Sequence, residues 1–348
     1  MKILLRILIS LVLLVAVEAC YHGSDITINT SCAYARYFDV GESAVVTISP
    51  YSGARDTLVI EQPFENIICM SSSQVAGLAA IGADSVISAV SGLRYISNPI
   101  IHQMNIPDIG YESSLDYESI LNLNPDVLLA YTVSGAEPPF ISRLRSLGVR
   151  VLVLHDHLED HPLARAEYIR LYGTLTGRGE YADSVYASIM SGYDSLAAMV
   201  DLKQPRKKVL MNVPYGDAWY IPGGDSYMAR LIEDAGGEIL GATSGTSHSR
   251  VISLEEAYDL SQSADIWLNP GPCRTIDELL AFHHTFRMFG PVVKECPIYN
   301  NTLRTTPEGG NDFWENGSVH PDLILQDLIH VFSGDTSDYS LEYHFQVK

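Results

Sequence analysis

Three stretches carry the side chains best suited to holding a ligand. Trp219-Tyr220 stands ahead of Pro222-Gly223-Gly224 and a Ser-opened helix, Arg94-Tyr95 follows an apolar run, and Arg304 precedes Asp312-Phe313-Trp314. Aromatic faces combined with guanidinium groups suit a large, flat or lobed molecule bearing carboxylate or catecholate oxygens. Tyr131, at the end of an apolar strand, and Ser72 and Ser73, in the polar start Ser71-Ser72-Ser73-Gln74 of another helix, join the set. The expected ligand residues are Ser72, Ser73, Arg94, Tyr95, Tyr131, Trp219, Tyr220, Arg304, Asp312 and Trp314, with Asn269 on a neighbouring loop. Trp219 and Tyr220 are assigned to a ligand-facing loop because the Pro222-Gly223-Gly224 turn breaks the strand. Trp267, inside an apolar run, is assigned to the core.

His155-Asp156-His157-Leu158-Glu159-Asp160-His161 brings imidazoles and carboxylates to short spacing. The run lies between a strand and a helix start, where Asp, His and Pro162 are ordinary turn and capping residues. No metal site is assigned to it, although Glu159 is within reach of a ligand as a polar contact. The sequence has no Gly-x-Ser-x-Gly elbow, Gly-rich phosphate loop or paired-Cys zinc spacing, so no catalytic residue is assigned and the chain is not read as an enzyme. A hydrolase or chelatase on a similar frame is the alternative of another class, and it requires a nucleophile or metal triad converging in the ligand site.

Positioning these residues takes two lobes. The 348 residues, 47% hydrophobic and 18% charged, suffice for two ordinary cores. Residues 1–19 read as a signal peptide: Lys2 and Arg6, then an apolar run from Ile7 to Val17 too short to span a bilayer, then Glu18-Ala19 ahead of Cys20. Residues 20–33 read as a tether, 34–177 as an N-terminal α/β lobe opening with extra β-strands, 178–203 as one long linking helix, 204–332 as a C-terminal α/β lobe, and 333–348 as a tail. Within each lobe short apolar strands alternate with helices, the pattern of a parallel sheet covered on both faces. The formal net charge of −20 disfavours nucleic acid. Of five Cys, setting Cys20 aside leaves Cys32, Cys69, Cys273 and Cys296, whose pairing spacing does not reveal.

The two halves correspond in detail. Asp116-Tyr117-Glu118 opens a helix leading to Asn124-Pro125-Asp126-Val127, and Ser253-Leu254-Glu255 opens one leading to Ser263-Ala264-Asp265-Ile266. Asp116 and Ser253 are expected N-caps, which puts Glu118 and Glu255 at the second helical position, facing outward. Glu256 at the third position is expected to complete a capping box with Ser253.

From about Asn66 to Phe332 the chain resembles the lipid-anchored substrate-binding proteins of ABC importers for ferric siderophores, haem and cobalamin. The likeness rests on Leu78-Ala79-Ala80-Ile81-Gly82-Ala83-Asp84, Pro107-Asp108-Ile109-Gly110, Asn124-Pro125-Asp126-Val127, Ser253-Leu254-Glu255 and Asp322-Leu323-Ile324-Leu325-Gln326-Asp327-Leu328. It also rests on His161-Pro162-Leu163-Ala164-Arg165-Ala166-Glu167, the tract from Trp219 to Leu231, and Gly309-Gly310-Asn311-Asp312-Phe313-Trp314-Glu315. The resemblance implies two rigid lobes with a ligand cleft between them, a small closing motion about one helix, and no resident cofactor. It implies as ligand an iron complex, ferric siderophore or haem, with cobalamin as the alternative. It further implies a monomer docking an inner-membrane permease dimer through Glu118 and Glu255. The signal segment implies export to the periplasm. Val17-Glu18-Ala19-Cys20 resembles a lipoprotein lipobox and implies a membrane-anchoring lipid on Cys20, with cleavage after Ala19 leaving Cys20 free as the alternative.

Overall fold

The computed structural model describes residues 32–348 apart from Leu202 and Thr336. The expected signal peptide and the lipidation site Cys20 lie outside the described residues. The described residues begin with a three-stranded antiparallel sheet, β1 (Phe38–Val40), β2 (Ala44–Ile48) and β3 (Arg55–Val59). The first lobe follows with β4 (Ile67–Cys69), β5 (Ile87–Val90), β6 (Val127–Tyr131) and β7 (Val151–Leu154), all parallel in the order β5-β4-β6-β7.

In the second lobe lie β8 (Lys207–Met211), β9 (Trp219–Ile221), β10 (Gly237–Ile239), β11 (Arg250–Ile252), β12 (Ile266–Leu268), β13 (Ile298–Asn300) and β14 (Phe345–Gln346). The main sheet has the order β10-β8-β12-β13-β14, parallel except at β14, and β9 pairs with β11 as a separate antiparallel ribbon. Residues 333–348, read as a tail, therefore supply an edge strand. The Asp327 carboxylate fixes that approach by accepting the backbone N–H groups of Glu342, Tyr343 and His344 at 2.8–3.0 Å.

Strand alternation sorts the apolar side chains into layers. Val127 and Leu129 enter one cluster and Leu128 and Ala130 another; in the second lobe Val209 and Met211 separate in the same way from Leu210. One cluster is shared by both lobes, running from Ile67 and Val127 through the fully packed Pro162–Leu175 helix to Leu328 and Phe332. Packing there is close enough that a Cβ on Gly77 would lie 2.1 Å from the Tyr172 ring. Between β7 and β8 the chain runs through the Pro162–Leu175 helix and then the Gly179–Met199 helix, whose buried residues Ala182, Tyr186, Ile189 and Tyr193 form a single stripe at helical spacing. A connection seated on a continuous core resists bending. Among the described residues, no helix is long and apolar enough to cross a membrane, and Cys32, Cys69, Cys273 and Cys296 are all free thiols.

Candidate ligand-binding cleft

A cavity of about 620 Å3 opens between the lobes at the carboxyl ends of β7, β8 and β12. From the first lobe, the turn after β7 presents His157 and Glu159, and the helix behind it presents Arg165. Asp156 anchors that turn from below, accepting the Ser73 hydroxyl at 2.7 Å, and Ser73 in turn is 2.8 Å from Ser71 Oγ at the helix cap. From the second lobe come Asn212, Tyr227, Met228, His248, Asn269 and Trp314. Asn212 and Asn269 end β8 and β12 in the left-handed conformation, with φ of 66° and 57°, which Asn tolerates better than most residues and which stops each strand at the cleft.

Arg165 joins the two walls. Its guanidinium carbon lies 3.9 Å from the centroid of the Tyr227 ring, and Nη2 donates to the His157 carbonyl at 2.8 Å. Its Nε has no hydrogen-bond partner, and neither do the buried His157 Nε2 and Asn269 Oδ1. Buried polar atoms normally find partners, and these three, closed to solvent, lie on residues that line the cavity. His155, behind the wall, has its pKa pushed down to about 4 by burial and the adjacent His157, so it stays neutral.

The expected ligand residues divide. Trp314 lines this cleft at 46% exposure, Tyr131 is absent from the lining but has its ring centroid 5.9 Å from that of His157, and Ser73 lies beneath in the Asp156 network. Ser72 is half-buried at the helix start. Arg94, Arg304 and Asp312 line a different cavity, of about 870 Å3, together with Ser97, His102 and Asn316. There Arg94 lies 4.8 Å over the Tyr95 ring, and Arg304 is engaged by Asp312 at 3.5 Å and by Glu342. The segment bearing Arg304, Asp312 and Trp314 thus faces both cavities. It is pinned to the first lobe where Glu315 accepts the N–H groups of Ser97 and Asn98 at 2.6 and 2.9 Å and Thr306 Oγ1 donates to the Arg94 carbonyl.

Four expectations need correction. Trp219 does not face a ligand: it is 1% exposed, stacked on Trp267 and Phe289, with its indole N–H donated to the Met211 carbonyl at 2.8 Å. The reason is that Trp219-Tyr220-Ile221 is strand β9, not loop, so alternate residues point to opposite faces. Tyr220, at 43% exposure, takes the outer face and is absent from the cleft lining. Glu159 borders the cavity, but its carboxylate turns inward to accept the N–H groups of Arg36 and Tyr37 at 2.9–3.2 Å, and burial pushes its pKa up to about 7. The capping box at Ser253 is half formed: Ser253 Oγ accepts the Glu256 N–H, but the Glu256 carboxylate pairs with Arg250 at 2.7 Å.

Sequence reasoning missed Arg165, His157, Tyr227, Tyr37 and Tyr51 as lining residues. Arg165 falls within a quoted string, yet in a helical reading it passes for a solvated face. Glu118 and Glu255 are exposed in first turns capped by Asp116, through the Ser119 N–H at 3.0 Å, and by Ser253.

Comparison with known proteins agrees with this architecture. The family described as "Periplasmic binding protein" matches residues 67–286. An uncharacterized lipoprotein of Methanocaldococcus jannaschii is 24% identical over 307 residues, 83% of this chain and 71% of its own length. A cobalamin-binding protein of Halobacterium salinarum is 23% identical over 235 residues, 67% of this chain and 61% of its own length. Among solved structures, a periplasmic heme-binding protein from Pseudomonas aeruginosa superposes with a TM-score of 0.61 at 18% identity, covering 82% of this chain and 98% of that one. With the matched segment taking in the first lobe's sheet and β8 to β12 of the second lobe, the chain belongs to the periplasmic binding protein family, whose members bind solutes rather than transform them.

Proposed function

We propose that the chain is the substrate-binding component of an ABC importer and captures a metal chelate, an iron complex such as haem or a ferric siderophore, between its lobes. The observation that carries the reading is the placement in one cavity of the Arg165 guanidinium, seated on the buried Tyr227 ring, and the exposed ring of Trp314. A guanidinium answers carboxylate or catecholate oxygens, and aromatic walls answer a flat or lobed apolar body. The cavity of about 620 Å3 lies within the ~300–1,000 Å3 common for small-molecule sites. Cobalamin is the second reading, favoured by the name of the Halobacterium salinarum relative.

Delivery requires a membrane partner. The exposed Glu118 and Glu255, on matching helix starts of the two lobes, are the residues proposed to meet cationic side chains of a permease. Attachment through a lipid on Cys20 is proposed from the Ala19-Cys20 sequence and from the lipoprotein relative. The ligand reading is tested by mixing the purified protein with haemin, cyanocobalamin or a ferric tris-catecholate and recording the visible spectrum of the protein fraction after gel filtration. Stoichiometric co-elution of one chelate supports the reading, and passage of all of them in the free fraction contradicts it.

A further inference from the structure

The sheet β1–β3 precedes residue 67, where the family match begins, yet it reaches the ligand cleft. Tyr37 stands at the entry to β1, and Pro50 and Tyr51 form the tip of the β2–β3 hairpin; all three line the cavity that holds Arg165 and Trp314. We propose that this N-terminal hairpin is a selectivity wall, in which Tyr51 and Tyr37 contact the bound chelate and set which chelate the cleft admits. The inference rests on the ligand reading above.

Two sets of contacts carry it. The first fixes the sheet rigidly to the frame. Phe38 packs on Tyr168, with centroids 4.4 Å apart, and Glu159 holds the Arg36 and Tyr37 backbone. Glu167 accepts the N–H groups of Ala33, Tyr34 and Ala35 at 2.8–2.9 Å, and Arg145 of the first lobe reaches Asp56 of β3 at 2.9 Å. A wall held this way can discriminate shapes, because moving it breaks several part-buried hydrogen bonds together.

The second set aims the tip. The turn closes by Ser49 N–H to Ala54 O and Gly53 N–H to Ser49 O, each at 2.8 Å, which leaves residues 50–53 projecting. Tyr51 rests edge-on against His155 at 6.4 Å between ring centroids and lies over Gly135, where a Cβ would come within 3.3 Å of its own Cβ. Even so supported, Tyr51 stays 45% exposed. Shielding the edge strand β7 accounts for the body of β2, but it does not call for a large aromatic at the tip or for Tyr37 beside the cavity. An aromatic ring braced from behind and open in front costs little entropy when it stacks on a planar guest.

The test compares the natural protein with Tyr51→Ala, with a variant whose residues 50–53 are replaced by the tight turn Asn-Gly, and with Val59→Ala, an exposed position on β3 outside the cleft lining. Haemin, cyanocobalamin and a ferric tris-catecholate are each titrated by calorimetry, with thermal melts as the folding check. For the chelate that the natural protein binds, Tyr51→Ala and the shortened hairpin are expected to weaken affinity by about tenfold or more. They are also expected to narrow the gap to the next chelate, while Val59→Ala leaves both quantities as they were. Binding and discrimination by the shortened variant within about twofold of the natural protein would overturn the selectivity wall and leave the ligand reading standing. If the natural protein binds none of the three, the ligand reading fails and the selectivity wall falls with it.

Discussion

Arg165 of the first lobe lies 3.9 Å over the buried ring of Tyr227 in the second, a cation laid on an aromatic face where the two lobes meet. The contact keeps the guanidinium in place while its Nε remains unpaired. Replacing Arg165 with Met keeps the aliphatic stem and removes the charge. The expected result is a loss of about 1.5–3 kcal/mol of chelate affinity, on the order of ten- to a hundredfold. Calorimetric titration of Arg165→Met beside Arg165→Lys checks this, with Lys recovering part of the affinity through its charge.

Trp219 and Trp314 are expected to behave oppositely. Trp219 is enclosed by Trp267, Phe286 and Phe289, so Trp219→Ala should cost about 3–5 kcal/mol in urea unfolding. Trp314 is exposed against Phe313, and Trp314→Ala should cost about 1 kcal/mol or less while lowering chelate affinity.

Docking through the paired carboxylates predicts a separation of binding from transport. Glu118→Arg combined with Glu255→Arg should keep the melting temperature and the chelate affinity, because both residues are exposed at capped helix starts. Uptake through the cognate permease, measured with labelled chelate in reconstituted vesicles, should be lost as like charges meet.

Stability should fall as pH rises from about 6.5 to 8. Burial pushes the Glu159 and Glu315 carboxyls up to about 7 from an ordinary 4.5, against the backbone N–H groups that favour their charged forms. A folded-state pKa above the unfolded one contributes stability that is full below the unfolded pKa and lost as pH rises through the folded one. Burial pushes His155 and His161 down to about 4, so their contribution is present above 6.5 and lost as pH falls. The two effects oppose each other below 6.5, and above it the carboxyls act alone. Thermal melts of Glu159→Gln with Glu315→Gln should show a flatter dependence in that window, and an unchanged slope would contradict the assignment.

The parts legible in sequence were those encoded locally. Apolar runs such as Val127-Leu128-Leu129-Ala130 announced buried parallel strands because both faces are covered, and Asp116 and Ser253 announced helix starts through their own side chains. What stayed hidden depends on distant partners. Strand β9 is too short to show a period, and its assignment comes from pairing with β11, which placed Trp219 inward despite the turn after it. Glu159, Glu167, Glu315 and Asp327 look like surface charges until backbone N–H groups far along the chain reach them. Arg94 and Arg304, expected at the cleft, line the second cavity instead, because the 304–316 segment has a face on each.

That division defines the decisive measurement, an anomalous difference map from crystals of the protein with the chelate it binds, collected at the absorption edge of iron or cobalt. The account predicts a metal peak in the cleft bounded by Tyr51, Arg165, Tyr227 and Trp314. A peak in the cavity of Arg94, His102 and Arg304, with the cleft empty of metal, would contradict it.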